Sequence, residues 1–531
     1  MIEDVITQGL ASGWSVQDGS ELDRDLEMEA DVVIVGTGAG GGLSAEVLTR
    51  AGLNVVLVEE GPLKHLPDFK MEERFAYPDL YQDSASRKTK DKAINILQGR
   101  CVGGGTTVNW TSSFATPDET LNHWGRVHEV EGFSPEDMAP WFEKVKARLN
   151  IHKWPVPPNP NNEALRRGAE RLGWSFDFMH RNVKGCANLG YCGMGCPINA
   201  KQSMLVTTIP AALDGGARLY TRMRAVRLTH RAGRVTELVC QALDGRGVFT
   251  TGRTMRIKAR AFVLAGGAIG SPALLMRSKA PDPHDLVGKR TFLHPVTAST
   301  ALFAEPIRPF SGAPQSVFSD QFLWPEGVDG PMGYKLEVPP LHPILSSTVL
   351  DHLGEDHHRL MKDFAHMQAM LSLCRDGFHP ESQGGRVVLR ADGSPELDYP
   401  FTDYVRDGFR RSLLSMVELQ FAAGATSVWP AHRQARSYSQ WKAARAAVAE
   451  LPMDPQMVRL FSAHVMGGCP MGREARHSVV TSEGMHHHLE NLAVIDGSVF
   501  PTSIGTNPQV SIYGMAMKNA TALAARLTAA G

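Results

Sequence analysis

No block of like charge stands out: 55 Lys and Arg face 56 Asp and Glu, leaving a formal net charge of -1. Nucleic-acid recognition needs a basic stripe or patch, so that class of function is excluded. No apolar stretch approaches the roughly 18 residues that span a bilayer. The opening Met1-Ile-Glu-Asp-Val is acidic where an export signal is basic and then apolar, and no twin arginine follows. A soluble, cytoplasmic enzyme is expected; peripheral membrane attachment, or periplasmic export on a signal-bearing partner subunit, would leave no mark in this chain. Internal repeats and low-complexity tracts are also lacking. Cysteine is scarce and odd in number, seven in 531 residues, with three crowded between positions 186 and 196. A disulfide framework calls for dispersed pairs. A cluster without an export signal points to a metal, to buried thiols or to a single disulfide.

What is present is enough for a large core. Hydrophobic residues make up 43% and charged residues 21%, an ordinary globular balance. The clearest unit covers residues 31–61. The run at 32–35 reads as a fully buried strand, 43–50 as a helix and 55–58 as a second buried strand. This βαβ unit implies a doubly wound, Rossmann-like α/β sheet. Gly36, Gly38 and Gly41 fit the G-x-G-x-x-G spacing at the strand-to-helix turn: the first for the turn, the second for backbone approach to a pyrophosphate, the third for helix–strand packing. Glu59 ends the second strand where a ribose diol is expected to be held. This pattern alone does not separate NAD from FAD.

Further glycine-rich segments lie at 99–109 and 266–275. Strand patterns at 217–228 and 234–243 flank a turn at 231–233, and a helix is expected over about 511–526. The proline- and aromatic-rich stretch 300–455 has no glycine motif and reads as an inserted α+β substrate-binding domain. The expected organisation is an N-terminal extension (1–30), a dinucleotide-binding domain (31–299), the insert (300–455) and a C-terminal return to the first domain (456–531).

With these segments in order, the chain resembles the glucose–methanol–choline family of FAD-dependent oxidoreductases from about residue 31 to 527. The long-chain alcohol oxidase and dehydrogenase branch is the most similar, through Gly103-Gly-Gly-Thr-Thr-Val-Asn-Trp110. The resemblance implies that Gly103, Gly104 and Asn109 lie along the flavin and its pyrophosphate. It also places the Val226 backbone at the adenine, and Asp496 and Gly497 beside the ribityl chain. Some members tether FAD through a histidine just before the asparagine of the second segment; Val108 stands there, so non-covalent FAD is expected. Residues 276–279, Met-Arg-Ser-Lys, depart from the family's usual Ser-Gly.

Oxidising an alcohol requires removal of a hydroxyl proton and a carbon-bound hydride. An imidazole suits the first task, and an amide N–H can orient the oxygen. Taken alone, one histidine among twenty is as readily structural. The resemblance assigns the base to His464 and its partner to Asn507. His294, in a recurrent family loop, is expected to be structural, and the run 486–488 to be a solvated loop rather than a metal site. Cys186, Cys192 and Cys196, followed by Pro197, resemble the spacing in family dehydrogenases that carry a three-iron [3Fe-4S] cluster and pass electrons to a cytochrome; buried thiols or a disulfide are the other readings. The expected activity is oxidation of a hydrophobic primary alcohol, long-chain or aryl, with electrons leaving to oxygen or to a cytochrome, quinone or small subunit. A flavin-dependent lyase or decarboxylase on the same scaffold is the alternative.

Overall fold

Apolar runs without polar alternation demand a strand covered on both faces. Val32, Val33 and Ile34, and all four residues of Val55–Val58, meet that demand: each is buried, and Val32 pairs in parallel with Val55. In the computed structural model, which describes residues 2–350 and 354–529, these strands (Leu26–Val35 and Val55–Val58) form the middle of an eight-stranded sheet. Arg218–Thr221 and then Ser15–Asp18 extend it in parallel on one side. On the other runs the 15-residue strand Thr250–Leu264. Its first half pairs antiparallel with the hairpin Arg234–Leu243 and Met223–Arg231; its end pairs in parallel with Leu492–Val494. The helix Ala39–Arg50 packs against the C-terminal helix Gln509–Ala529.

The expected doubly wound α/β fold is therefore present, with two changes in its outline. Residues 15–18, expected in an extension, form the sheet's edge, and Leu26 already begins the central strand. An edge strand whose side chains stay exposed or half-exposed carries no apolar signature. The expected division after residue 299 falls inside the strand Val296–Leu302. That strand is central to a second, mainly antiparallel sheet collected from distant segments: Ile94–Ile96, Leu460–Ser462, Val296–Leu302, Met367–Cys374, Tyr334–Glu337, Val317–Phe322 and Asp177–Phe178, in that order. The helix Asp403–Ala422 seals it with the fully buried Phe409, Leu413 and Met416. A small third sheet pairs Lys289–Phe292 with Met466–Gly467, Phe292 opposite Met466, and so brings position 294 beside position 464. Among the described residues, no helix is long and apolar enough to cross a membrane.

Candidate active site

The turn after Leu26–Val35 is built by glycines with different tasks. A Cβ on Gly36, whose φ is +97°, would sit 2.4 Å from the Ala265 carbonyl oxygen; one on Gly41 would sit 1.9 Å from the Gly36 oxygen. Gly40, not singled out from the sequence, is equally constrained, because a Cβ there would lie 1.8 Å from the Ile495 oxygen. Only its contact with Ile495, a residue far along the chain, reveals the need. Gly38 differs: the nearest atom to its missing Cβ is the Gly104 Cα at 3.9 Å, and both residues line the cavity. Gly38 also caps Ala39–Arg50 without a side-chain acceptor, so the helix's first N–H groups are free to meet an anion. This is the cradle that a dinucleotide's pyrophosphate requires.

Side-chain ties hold the surrounding loops. Thr37 donates through N and Oγ1 to Glu59 Oε2 (3.0 and 2.7 Å), while its Oγ1 accepts from the Gly103 N–H at 3.0 Å. Burial pushes the Glu59 carboxyl above the usual range; these bonds and one from the Gly61 N–H oppose that. Asn109 Nδ2 donates to Gln509 Oε1 at 2.8 Å, and Gln509 Nε2 donates to the Ser112 carbonyl. Lys201 is fully buried, its Nζ donating at 2.7 Å to the carbonyls of Thr107, Asn109 and Cys192. Asp496 accepts from the Gly267 N–H and the Ser271 hydroxyl, and so anchors the third glycine segment.

One cavity of about 460 Å³ gathers most of the residues singled out from the sequence. Gly36, Gly38, Glu59, Gly104 and Asn109 line it, as do Asp496, Gly497, His464 and Asn507. Gly41 and Gly103 stand behind the wall. Val226 does not line it either: its neighbour Ala225 does, and the Val226 carbonyl accepts from Arg277 Nε at 3.2 Å. A cradle for a diphosphate, a carboxylate at a strand end and a polar niche some 400 residues later in sequence fit the parts of a flavin dinucleotide.

That niche contains an imidazole and an amide. Burial pulls His464 down to about 4, so it is neutral at pH 7; its accessible face opens onto the cavity. Its Nδ1 lies 3.1 Å from Nδ1 of His294, a residue that is wholly buried. Asn507 Nδ2 donates to Glu337 Oε2 at 3.2 Å, leaving Asn507 Oδ1 and Glu337 Oε1 buried and without a partner among the described residues. Glu337 is raised by burial. Two residues before it, Lys335 places its ammonium 3.3 and 3.9 Å from the ring centroids of Phe114 and Phe318, and burial lowers it. Neither His294 nor Glu337 was marked as part of the site by the sequence, since each reaches it by a contact across about 170 residues.

Two expectations are corrected. Among the described residues, no three His, Cys, Asp or Glu side chains come together as a metal site, so the iron–sulfur assignment of Cys186, Cys192 and Cys196 is not supported. All three are free, half-buried thiols. Their loop works through its backbone, the Cys192 carbonyl accepting from Lys201 and the Gly193 carbonyl from the Tyr81 hydroxyl at 2.7 Å. With the cluster falls the argument for an electron-accepting cytochrome. The run 486–488 is not a solvated loop: His486 is buried and pulled down to about 4, and His487 Nε2 lies 2.8 Å from the Ser478 hydroxyl.

Comparisons with known proteins agree with this architecture. The chain is 29% identical over 512 residues to an uncharacterized GMC-type oxidoreductase of Sinorhizobium fredii, covering 95% of this chain and 96% of that one. It is 27% identical over 542 residues to a long-chain-alcohol oxidase of Arabidopsis thaliana, covering 96% of this chain and 69% of that one. Among solved structures, formate oxidase of Aspergillus oryzae aligns with a TM-score of 0.70 at 14% identity, over 95% of this chain and 99% of its own. Pyridoxine 4-oxidase from Mesorbium loti aligns with a TM-score of 0.68 at 17% identity, over 92% and 98%. The two family profiles described as GMC oxidoreductase match residues 77–296 and 380–516, and the chain belongs to that family.

Proposed function

We propose that this oxidoreductase oxidises a hydrophobic, long-chain primary alcohol to the aldehyde, with FAD held non-covalently. The observation that carries the reading is the cavity's composition. An imidazole and an amide stand at one end, and beyond them Met367, Ala369, Leu371 and Leu373, alternate residues of one strand, line the wall. Alternate residues share a face, and six steps of about 3.4 Å give an apolar wall of ~20 Å. An extended chain advances about 3.5 Å over three backbone bonds, so that length suits on the order of 15 bonds. Pro340, Leu341 and Leu345 continue the lining.

When bound, FAD supplies the hydride acceptor. The chain's own part is binding, orientation and proton transfer. His464, neutral at physiological pH, takes the hydroxyl proton at Nε2. Asn507 donates its remaining amide N–H to the alcohol oxygen as negative charge grows there, while Glu337 fixes the amide's other N–H. The apolar wall excludes water and aligns the chain. Gly38, Gly104 and Glu59 hold the dinucleotide, and Val108 offers no nucleophile for a covalent tether, so acid precipitation of the protein releases the flavin.

An anaerobic panel of primary alcohols, scored by loss of flavin absorbance, tests the proposal. Each added methylene buried in the wall is worth about 0.8 kcal/mol, so kcat/KM for reduction rises about fourfold per carbon before levelling off. A panel in which short polar alcohols bleach the flavin as well as long ones removes the substrate class. Failure of every alcohol to bleach it removes the oxidation itself.

A further inference from the structure

We propose that His294 is a positioning residue: its Nδ1 accepts a hydrogen bond from His464 Nδ1–H, keeping the His464 proton on that nitrogen and Nε2 bare towards the cavity. The inference rests on the reading of His464 as base. Two imidazole nitrogens 3.1 Å apart, in rings tilted by 34°, must divide into one donor and one acceptor. If His294 were the donor, the His464 proton would sit on Nε2, and the nitrogen facing the cavity could not accept a hydroxyl proton. Only the opposite arrangement yields a base.

The surroundings keep His294 neutral, as an acceptor at Nδ1 must be. It is wholly buried, its Nε2 has no partner among the described residues, and the groups facing it are His464 and the Lys335 ammonium, both of which oppose a charge on it. Asp376 offers no proton-stabilising contact to the ring: its oxygens accept from the backbone N–H groups of Leu293 and His294 and from the Tyr399 hydroxyl. Glu337 engages Asn507 through Oε2 and is not among the groups that act on His294. As His464 gains the substrate proton, a neutral acceptor at Nδ1 strengthens its bond to the imidazolium, the part a carboxylate plays in a serine-protease triad.

The pair is held before any substrate arrives. His294 has a φ of +49°, fixed by the two N–H groups bound to Asp376. The Ser462 hydroxyl donates to the Leu293 carbonyl at 2.6 Å, and strand pairing locks Phe292 against Met466. Each histidine therefore sits at the end of a segment pinned to the other.

The test compares His294→Ala, His294→Asn and His464→Gln as flavin-loaded enzymes, following anaerobic flavin reduction against pH. His294→Ala is expected to slow reduction about tenfold to a hundredfold and to move the acid limb to lower pH, because the imidazolium loses its acceptor. His294→Asn is expected to restore most of the rate, since asparagine tolerates the left-handed backbone and supplies an acceptor oxygen. Nitrogen-15 NMR of histidine-labelled wild-type holoenzyme, assigned by difference with His464→Gln, should show Nδ1 of His464 protonated and Nε2 bare; it remains decisive if a variant fails to fold. A protonated Nε2 overturns the proposal. So does a wild-type rate and pH limb in His294→Ala, or an equal loss in the Ala and Asn variants with the limb unmoved. Full activity in His464→Gln is a different failure, that of the base reading itself.

Discussion

Burial draws His464 to about 4 and leaves it uncharged at neutral pH, as the proposed role of base requires. Flavin reduction should therefore be flat from pH 8 down to about 5 and fall below about 4, as the imidazole becomes charged; stopped-flow absorbance reads this directly. His464→Ala should slow reduction by about 10²–10⁴-fold while flavin content stays constant. Asn507→Ala should cost about 10²–10³-fold, and it also leaves the buried Glu337 without its donor, so a lower melting temperature is expected as well. Motif order along the chain pointed to His464 and Asn507, and the fold brings both to one cavity. His294 and Glu337 could not be found that way: their contacts with His464 and Asn507 arise from strand register, Phe292 against Met466 and Glu337 across from Leu371, and register is a property of the folded sheet.

At the scale of elements, the glycine turn separates binding from folding. Gly38→Ala adds a methyl where the nearest atom is 3.9 Å away, so the protein should fold with an unchanged melting temperature yet lose flavin. Gly41→Ala would drive a methyl to within 1.9 Å of the Gly36 oxygen, so loss of soluble, folded protein is expected. Absorbance at the flavin band together with thermal unfolding distinguishes the two. Lys201→Met tests the tie between the cysteine loop and the 105–109 segment. It leaves three carbonyls without their donor, each worth about 1–3 kcal/mol when buried and unsatisfied, and should lower both the melting temperature and flavin retention. The βαβ unit was legible because valines without polar alternation have one structural meaning. Ser15–Asp18 was not, because an exposed edge strand looks like any polar segment. The cysteines misled for a related reason: side-chain chemistry drew attention to a loop whose work is done by its carbonyls.

Across the whole molecule, burial keeps several histidines neutral: His123, His464 and His486 are drawn to about 4, and His294 well below its ordinary 6.5. Their folded values lie below the unfolded one, so the unfolded chain binds more protons between about pH 4 and 6.5. Stability is complete above 6.5 and is lost as pH falls through that window. Each of these buried imidazoles adds to the loss between pH 7 and pH 5. The buried carboxyls Glu59, Glu337, Asp376 and Asp496 are raised by burial, Glu337 to about 7, and pull the other way, so they offset part of the histidines' loss. Thermal unfolding of the flavin-free protein should therefore show a steady drop in melting temperature from pH 7 to pH 5. The central sheet has one more consequence. Leu492–Val494 lies against the end of Thr250–Leu264, and the helix after it covers Ala39–Arg50. A nascent chain still on the ribosome at residue 480 has its glycine turn but lacks Asp496, Asn507 and the cover for Ala39–Arg50. The sheet and the cavity wall are therefore completed only by the last segments to be synthesised.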